Sequence, residues 1–136
     1  MIVLDTSVLS RALRRKRSLR PADAAEDRLR TLIRENVPIC IPGVVYQEIL
    51  SGIRTTEQFA ELRSRLEPFS LVPASIADHV EAAQLINSCR AVGVRVSAID
   101  ALIAGMTIRM DGDLFTFDAD FTRIAQVVPF RVLSFE

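Results

Sequence analysis

Short runs of apolar, often β-branched residues alternate with longer stretches of helical periodicity along this chain. Parallel strands that lie side by side need crossover connections, which are usually helices. The alternation therefore predicts an α/β fold, a three-layer α/β/α sandwich around a central, mostly parallel sheet. A chain of 136 residues without linker or repeat is predicted to form a single domain over residues 1–136. The predicted strands are 2–5 (IVLD), 38–41 (PICI), 70–72 (SLV), 114–117 (LFTF) and 130–133 (FRVL).

Apolar residues recur at helical spacing between these runs. Ser75 with Asp78, and Ser97 with Asp100, have the spacing of a capping box, so both pairs are expected to begin helices. The predicted helices are a short one after residue 5, one from Pro21 to about Asn36, and others at about 43–53, 56–67, 76–93, 98–109 and 119–126. The spacing predicts that Phe59, Leu62 and Leu66 lie on one face of the helix at 56–67. It likewise predicts one face of the helix at 76–93 that carries Ile76, Val80, Ala83 and Ile86.

Four acids fall where a predicted strand ends or the next helix begins. Asp5 closes the first strand, Asp118 follows LFTF directly, Asp100 lies in the first turn of its helix, and Glu48 lies in the helix after the second strand. In open α/β sheets, ligands bind beyond the carboxyl ends of the strands. A fold that brings these elements together would gather the four carboxylates into an acidic pocket.

Such a pocket favours a hard divalent cation. Carboxylates within about 5 Å of one another repel by several kcal/mol per pair at a protein-like dielectric, and a bound cation removes that cost. Oxygen ligands suit Mg²⁺ or Mn²⁺, whereas zinc prefers His or Cys, and His79 is the only histidine. The ion would also supply the chemistry of a phosphodiesterase, which then needs no Ser or His nucleophile.

Each acid also has an ordinary structural explanation. Asp5 could cap the helix that follows it, and Asp100 could complete its capping box. Glu48 could be a solvated helix residue, although it lies among apolar neighbours. Asp118 and Asp120 could be turn residues placed favourably for the dipole of a short helix. These explanations do not exclude a catalytic role.

The charge distribution is uneven although the formal net charge is zero. The zero sum gives no overall attraction for nucleic acid. The segment from residue 11 to 20 carries six basic residues and no acid, and it forms either a solvated face, a contact with an acidic partner, or a contact with RNA phosphates. The candidates for RNA or partner contact are Arg11, Arg14, Arg15, Lys16 and Arg17.

Cysteine usage and hydropathy favour a soluble, cytoplasmic protein. Cys40 and Cys89 belong to no Cys-x-x-Cys pattern and are expected to be reduced core residues. The first apolar run is interrupted by Asp5, so it does not resemble a signal peptide. No stretch approaches the roughly 20 apolar residues that span a membrane.

Four segments in this order resemble the motifs of the PIN-domain family, especially its VapC-type toxins. They are IVLDTSVL at the start, VYQEILSGI around Glu48, SAIDALIAG around Asp100 and LFTFDADF near the end. The resemblance covers nearly the whole chain. It implies metal-binding and catalytic roles for Asp5, Glu48, Asp100 and Asp118, Asp120 as an additional metal-binding acid, and accessory polar roles for Thr6 and Ser7. Asp111 and Asp113 lie close to the last motif, so its ligand stays open between several acids.

The resemblance further implies an Mg²⁺- or Mn²⁺-dependent endoribonuclease, the toxin of a toxin–antitoxin pair, with a cognate antitoxin and homodimerisation. Two alternatives remain: a PIN nuclease with a housekeeping RNA or DNA substrate, and a noncatalytic interaction module of the same fold. Phosphoacceptor receivers and haloacid-dehalogenase-type phosphatases are disfavoured. Both need a Lys after a late strand, whereas Lys16 lies in the basic run, and the phosphatases need an Asp where Ser7 stands.

Overall fold

The computed structural model describes residues 1–14 and 24–133, which contain a five-stranded, entirely parallel sheet. The strands are β1 (Ile2–Leu4), β2 (Ile39–Pro42), β3 (Ser70–Val72), β4 (Asp113–Phe115) and β5 (Arg131–Leu133). Their order in the sheet is β3-β2-β1-β4-β5, so the chain builds outward from β1 on one side and then crosses to the other. This confirms the predicted α/β class.

Seven α-helices connect the strands within the described ranges. The predicted helix at 98–109 is confirmed residue for residue, and the others agree to within a few positions. Pro21, expected in the first turn of its helix, lies outside the described residues. The helices are α1 (Thr6–Leu9), continued by a π-helical turn (Ser10–Arg14), α2 (Ala24–Arg34), α3 (Gly43–Leu50), α4 (Thr56–Leu66), α5 (Ile76–Ala91), α6 (Ala98–Arg109) and α7 (Ala119–Val127).

The central strand is buried on both faces. Successive side chains of a strand point to opposite sides, and Ile2, Val3 and Leu4 of β1 are all buried. Helices therefore cover both faces of the sheet, which gives the three-layer sandwich. The edge strand β3 is mostly exposed, because it has a neighbour on one side alone. Cys40 and Cys89 are free and buried, as expected of core residues.

Helices α5 and α6 pack closely against each other. A Cβ at Gly105 would meet the backbone nitrogen of Ala82 at 3.2 Å, so the small residue permits the approach. Asp78 is buried and forms both halves of a capping box with Ser75, and it also accepts a hydrogen bond from Arg109 Nε at 3.0 Å. The predicted box at Ser75 is thus confirmed, and its acid also links the two helices.

The apolar residues aligned along α5 do not all face the core. Ile76 is 81% exposed, Val80 is 52% exposed and Ala83 is exposed, while Ala82, Leu85 and Cys89 form the buried side. In α4, Leu62 and Leu66 are buried but Phe59 is 38% exposed. Because α5 carries apolar residues on both sides, the spacing of its apolar residues cannot predict which side faces the core.

Two strand boundaries differ from the prediction. β1 ends at Leu4, one residue before Asp5, and β4 covers Asp113–Phe115 rather than 114–117. After Phe115 the backbone amides of Phe117 and Asp118 donate to side-chain hydroxyls, which replace strand partners. The end of the strand is therefore set by side-chain hydrogen bonds.

None of the helices in residues 1–14 and 24–133 is long and apolar enough to cross a membrane.

Candidate functional site

The carboxyl ends of β1 and β4 meet at the centre of the sheet, where the strand order reverses. Asp5 follows β1 directly, and its backbone nitrogen donates to the carbonyl of Phe115, the last residue of β4, at 3.2 Å. Thr116 and Asp118 follow on the same side. Ligand sites of open α/β sheets lie at such a reversal, so a functional site is expected at this edge.

Asp5 is held by hydroxyl groups. The residue is 5% exposed and occupies the N-cap position of α1, yet its side chain caps none of the helix's described amides. Its Oδ2 accepts hydrogen bonds from Thr116 Oγ1 at 2.6 Å and from Ser7 Oγ at 2.8 Å. Helix capping is thus the wrong explanation for this carboxylate, which is aimed at the end of β4.

Ser7 and Thr116 join the two halves of the site. Their hydroxyl oxygens lie 3.3 Å apart. Ser7 Oγ accepts from the backbone nitrogen of Phe117 at 2.9 Å, and Thr116 Oγ1 accepts from that of Asp118 at 2.9 Å. A single hydrogen-bonded network therefore connects Asp5 to the segment that presents Asp118. Thr116, which is 1% exposed, was missed in the sequence; its one signal was a polar residue interrupting an apolar strand run.

Asp118 has a structural role in addition to its place in the site. It is the N-cap of α7, and its Oδ1 accepts from the backbone nitrogen of Asp120 at 2.9 Å. The turn-and-cap explanation is correct for one oxygen of this carboxylate. Asp120 in turn forms an ion pair with Arg123, one turn further along the same helix.

Asp100 faces the other acids from the first turn of α6. Ser97 accepts a hydrogen bond from the Asp100 backbone nitrogen at 3.1 Å, but the reciprocal half of the expected capping box is not formed between these described residues. Burial raises the pKa of the Asp100 carboxyl, the charges of Asp118 and Asp5 raise it further, and Glu48 adds a smaller effect. A hydrogen bond with Ser97 partly opposes this rise. The other three predicted acids are thus close enough to Asp100 to act on its carboxyl.

Three carboxylates are near enough to share one ion. Asp100, Asp118 and Asp120 each place a carboxylate oxygen within 4.8 Å of the others, and all three are partly buried. Oxygen donors at this spacing fit a hard divalent cation. The negative charge of Asp5 contributes to the raised pKa of Asp100, which indicates that Asp5 lies near this cluster.

Glu48 lies at the exposed side of the site. Its Oε1 accepts a hydrogen bond from Thr6 Oγ1 at 3.0 Å, which connects α3 to the residue after Asp5. Glu48 is exposed, as expected of a solvated helix residue, but its hydrogen bond with Thr6 fixes its carboxylate near the start of α1. Thr6 and Ser7, both singled out in the sequence, therefore position one acid each.

The two acids near the last motif belong to a different place. Asp113 begins β4, and both Asp111 and Asp113 form ion pairs with Arg131 at the start of β5. Arg131 Nη1 lies 3.2 Å from Asp111 Oδ1. In a parallel sheet the starts of the strands lie at the edge opposite their carboxyl ends. These acids are thus separated from the pocket, which leaves Asp118 and Asp120 as the acids of that motif.

The basic run contributes one residue whose side chain the structure describes. Arg11 lies in the π-helical turn, and its guanidinium carbon is 4.0 Å from the centroid of the Phe117 ring. Arg14 closes that turn, and its side chain is not among those described. The remaining candidates, Arg15, Lys16 and Arg17, lie outside the described residues. The contact between Arg11 and Phe117 was not foreseen in the sequence.

Residues 2–127 match the model of the PIN domain. A search of curated proteins found no significant match. Among solved structures, VapBC2 from Rickettsia felis, bound to a promoter DNA fragment, is similar with a TM-score of 0.79 and 19% identity, covering 100% of both chains.

Two further structures are similar over nearly the whole chain. A toxin–antitoxin complex from Klebsiella pneumoniae has a TM-score of 0.72 and 15% identity, and covers 98% of this chain and 96% of its own. Mycobacterium tuberculosis VapC20, described as a toxin that cleaves the sarcin–ricin loop, has a TM-score of 0.66 and 16% identity, and covers 96% and 99%. At these identities the likeness shows the fold.

Proposed function

The chain belongs to the PIN-domain family, and from that premise we propose that it is a metal-dependent endoribonuclease that acts as the toxin of a toxin–antitoxin pair. One observation carries the proposal: three carboxylates from α6 and α7 come within 4.8 Å of one another at the carboxyl edge of the sheet, beside the buried Asp5. A similar structure described as a toxin–antitoxin complex supports the assignment as a toxin, and one described as a toxin that cleaves the sarcin–ricin loop supports RNA as the substrate.

Asp5, Asp100 and Asp118 are proposed as the principal metal ligands, with Asp120 and Glu48 as further acids of the site. The hydroxyls of Thr116 and Ser7 hold Asp5 in place, so its orientation does not depend on a bound ion. Asp118 uses Oδ1 as a helix cap, which leaves Oδ2 for a ligand. Asp120 is shared with Arg123 and is therefore the weaker candidate of this pair.

A bound Mg²⁺ or Mn²⁺ would supply an activated water and positive charge for the phosphoryl group. The chain supplies positioning. The three principal ligands come from three separate parts of the chain, and hydrogen bonds preset two of them, Asp5 through Thr116 and Asp118 through its cap. Preset ligands lower the free energy needed to organise the site when the substrate arrives. Hydrolysis of an RNA phosphodiester is the reaction that such a site supports best.

Partners follow from the same proposal. A toxin of this kind acts on RNA in the cytoplasm and is held inactive by a cognate antitoxin. We also propose a homodimer, as the resemblance to VapC-type toxins implies, and Ile76 and Val80 are exposed apolar residues one turn apart on α5 that are available to such a contact. Light scattering of the purified protein tests the dimer, and a purely monomeric mass at micromolar concentration would contradict it.

The proposal is tested by RNA cleavage. The purified protein should cleave single-stranded RNA with Mg²⁺ or Mn²⁺ and stop when EDTA is added. Asp100→Asn and Asp118→Asn should each abolish cleavage, whereas Asp111→Asn, which neutralises an acid paired with Arg131 at the opposite edge, should retain it. Undiminished cleavage in EDTA would rule out the mechanism.

The biological role needs a separate measurement. Induced expression of the native chain should halt bacterial growth, and expression of Asp100→Asn should not. Co-expression of the small protein encoded by a neighbouring gene should restore growth. An active nuclease whose overexpression is harmless would instead favour a housekeeping PIN nuclease.

A further inference from the structure

Arg11 and Phe117 form a cation–aromatic pair that connects the two segments carrying Asp5 and Asp118. Phe117 stands between Thr116, which holds Asp5, and Asp118, which belongs to the carboxylate cluster. Arg11 lies in the turn that continues α1, the helix that begins directly after Asp5. The ring and the cation therefore project from the same two segments that carry the pocket's acids.

The aromatic ring is anchored. The backbone nitrogen of Phe117 donates to Ser7 Oγ at 2.9 Å, so the residue is tied to the site's hydroxyl network. Its ring also packs against that of Phe115, with centroids 5.7 Å apart and an interplanar angle of 57°. Phe115 is fully buried at the end of β4. A ring fixed in this way offers a defined position to the guanidinium that lies over it.

No carboxylate of the described residues neutralises the positive charge of Arg11. The residue is exposed, and its guanidinium forms no ion pair with a carboxylate in residues 1–14 or 24–133, whereas Arg109, Arg123 and Arg131 are each paired. A guanidinium over an aromatic face keeps the N–H donors at its edge available. Such a fork matches two oxygens of a phosphate.

We propose that Arg11, positioned by Phe117, binds a backbone phosphate of single-stranded RNA next to the phosphodiester that is cleaved. This inference rests on the proposed nuclease function. The pocket's carboxylates repel an RNA strand, so a cation held on the same segments as these acids would offset part of that repulsion. Fixing the cation in advance reduces the side-chain entropy lost on binding. RNA is favoured over an acidic protein partner because the pair connects the two segments that carry Asp5 and Asp118, both proposed as metal ligands.

Binding is measured by fluorescence anisotropy with a labelled single-stranded oligouridylate, using full-length protein that carries Asp100→Asn to prevent cleavage. In that background, Arg11→Gln is compared with Arg34→Gln. Arg34 is exposed in the last turn of α2, just before β2, and so lies towards the opposite edge of the sheet. The two variants change the net charge equally, so a difference between them reports position.

For single strands, each phosphate contact contributes about 0.7 to the slope of log affinity against log salt, which corresponds to roughly fivefold in affinity at about 0.1 M salt. Arg11→Gln should therefore weaken binding about fivefold and lower the slope by about 0.7, and Arg34→Gln should change neither. Phe117→Leu keeps the charge but removes the aromatic face, and should weaken binding while Phe117→Trp preserves it. Thermal melts of all variants separate loss of binding from loss of fold.

Several results would overturn the inference. Equal affinity and slope for Arg11→Gln and the parent, or equal losses for Arg11→Gln and Arg34→Gln, would exclude a specific phosphate contact. Weakening by Arg11→Gln alone, with Phe117→Leu neutral, would exclude positioning by the ring. Unchanged RNA binding with weaker antitoxin binding would assign Arg11 to the protein partner. Cleavage by the otherwise native chain is assayed separately, so failure of the nuclease proposal is distinguishable from failure of this one.

Discussion

Replacing Thr116 with Val should destabilise the fold more than removing a buried hydroxyl that makes a single hydrogen bond to a neutral group. Val has nearly the same shape, so the packing of this buried residue is kept and its hydroxyl alone is removed. That hydroxyl donates to Asp5 Oδ2 at 2.6 Å and accepts from the backbone nitrogen of Asp118 at 2.9 Å. A hydrogen bond to a charged group contributes about 1.5–3 kcal/mol, and an unsatisfied amide that is partly buried adds about 1 kcal/mol.

We therefore expect Thr116→Val to lower the free energy of unfolding by about 2–4 kcal/mol. In a chain of this size that corresponds to a fall in Tm of roughly 10 °C. A matched control is available in Thr107, which is also fully buried and whose Oγ1 donates to the Ile103 carbonyl at 2.8 Å inside α6. That carbonyl already serves the helix, so Thr107→Val should cost about 1 kcal/mol or less.

Both variants are unfolded in urea at neutral pH, without metal and then with Mg²⁺. Metal-free measurement matters because a bound ion adds its own stabilisation to the folded state. The larger loss in Thr116→Val should persist without metal, since the hydroxyls hold Asp5 directly. If the two threonine variants lose the same stability within about 0.5 kcal/mol, the network would not be what holds the site together.

Three further predictions concern the acids and the helix pair. The raised pKa of Asp100 means that the stability contributed by its protonated form is present at acid pH and is lost as pH rises through that pKa. Without metal, Asp100→Asn should therefore be at least as stable as the native chain at neutral pH. A less stable variant in urea would contradict repulsion between the pocket's carboxylates. Burial alone would raise the pKa of Asp78, but hydrogen bonds from Ser75 and Arg109 outweigh this effect and lower the pKa. Asp78→Asn should therefore lower the free energy of unfolding by about 1–2 kcal/mol at neutral pH, and by progressively less as pH falls through that pKa. A loss of stability that does not change with pH would refute this explanation. Gly105→Ala should lower stability by about 1 kcal/mol despite better helix propensity, because its Cβ meets backbone of α5, and a higher Tm would show that the helices can separate.

The strand and helix order could be predicted because it depends on local pattern. Parallel strands buried on both faces appear as short continuous apolar runs, as β1 does, and α6 begins at the polar cap residue Ser97. The convergence of Asp5 and Asp118 followed from topology, because the carboxyl ends of parallel strands share one edge. These features need no knowledge of individual contacts.

Contacts between side chains distant in the chain could not be predicted. The bond between Thr116 and Asp5 spans 111 residues, and no local spacing encodes it. The same is true of the contact between Arg11 and Phe117. The buried face of α5 was ambiguous for another reason: it has apolar residues on both sides, so periodicity cannot show which side the core covers. In each case tertiary packing decides among locally equivalent choices.

The central claim is that distant carboxylates converge to hold one divalent ion. Calorimetric titration of Mn²⁺ into metal-free protein tests it most directly. The native chain should bind the ion, Asp100→Asn and Asp118→Asn should each weaken binding at least about tenfold, and Asp111→Asn, from the opposite edge of the sheet, should bind as the native chain does. Native affinity in both pocket variants, or an equal loss in Asp111→Asn, would contradict the account.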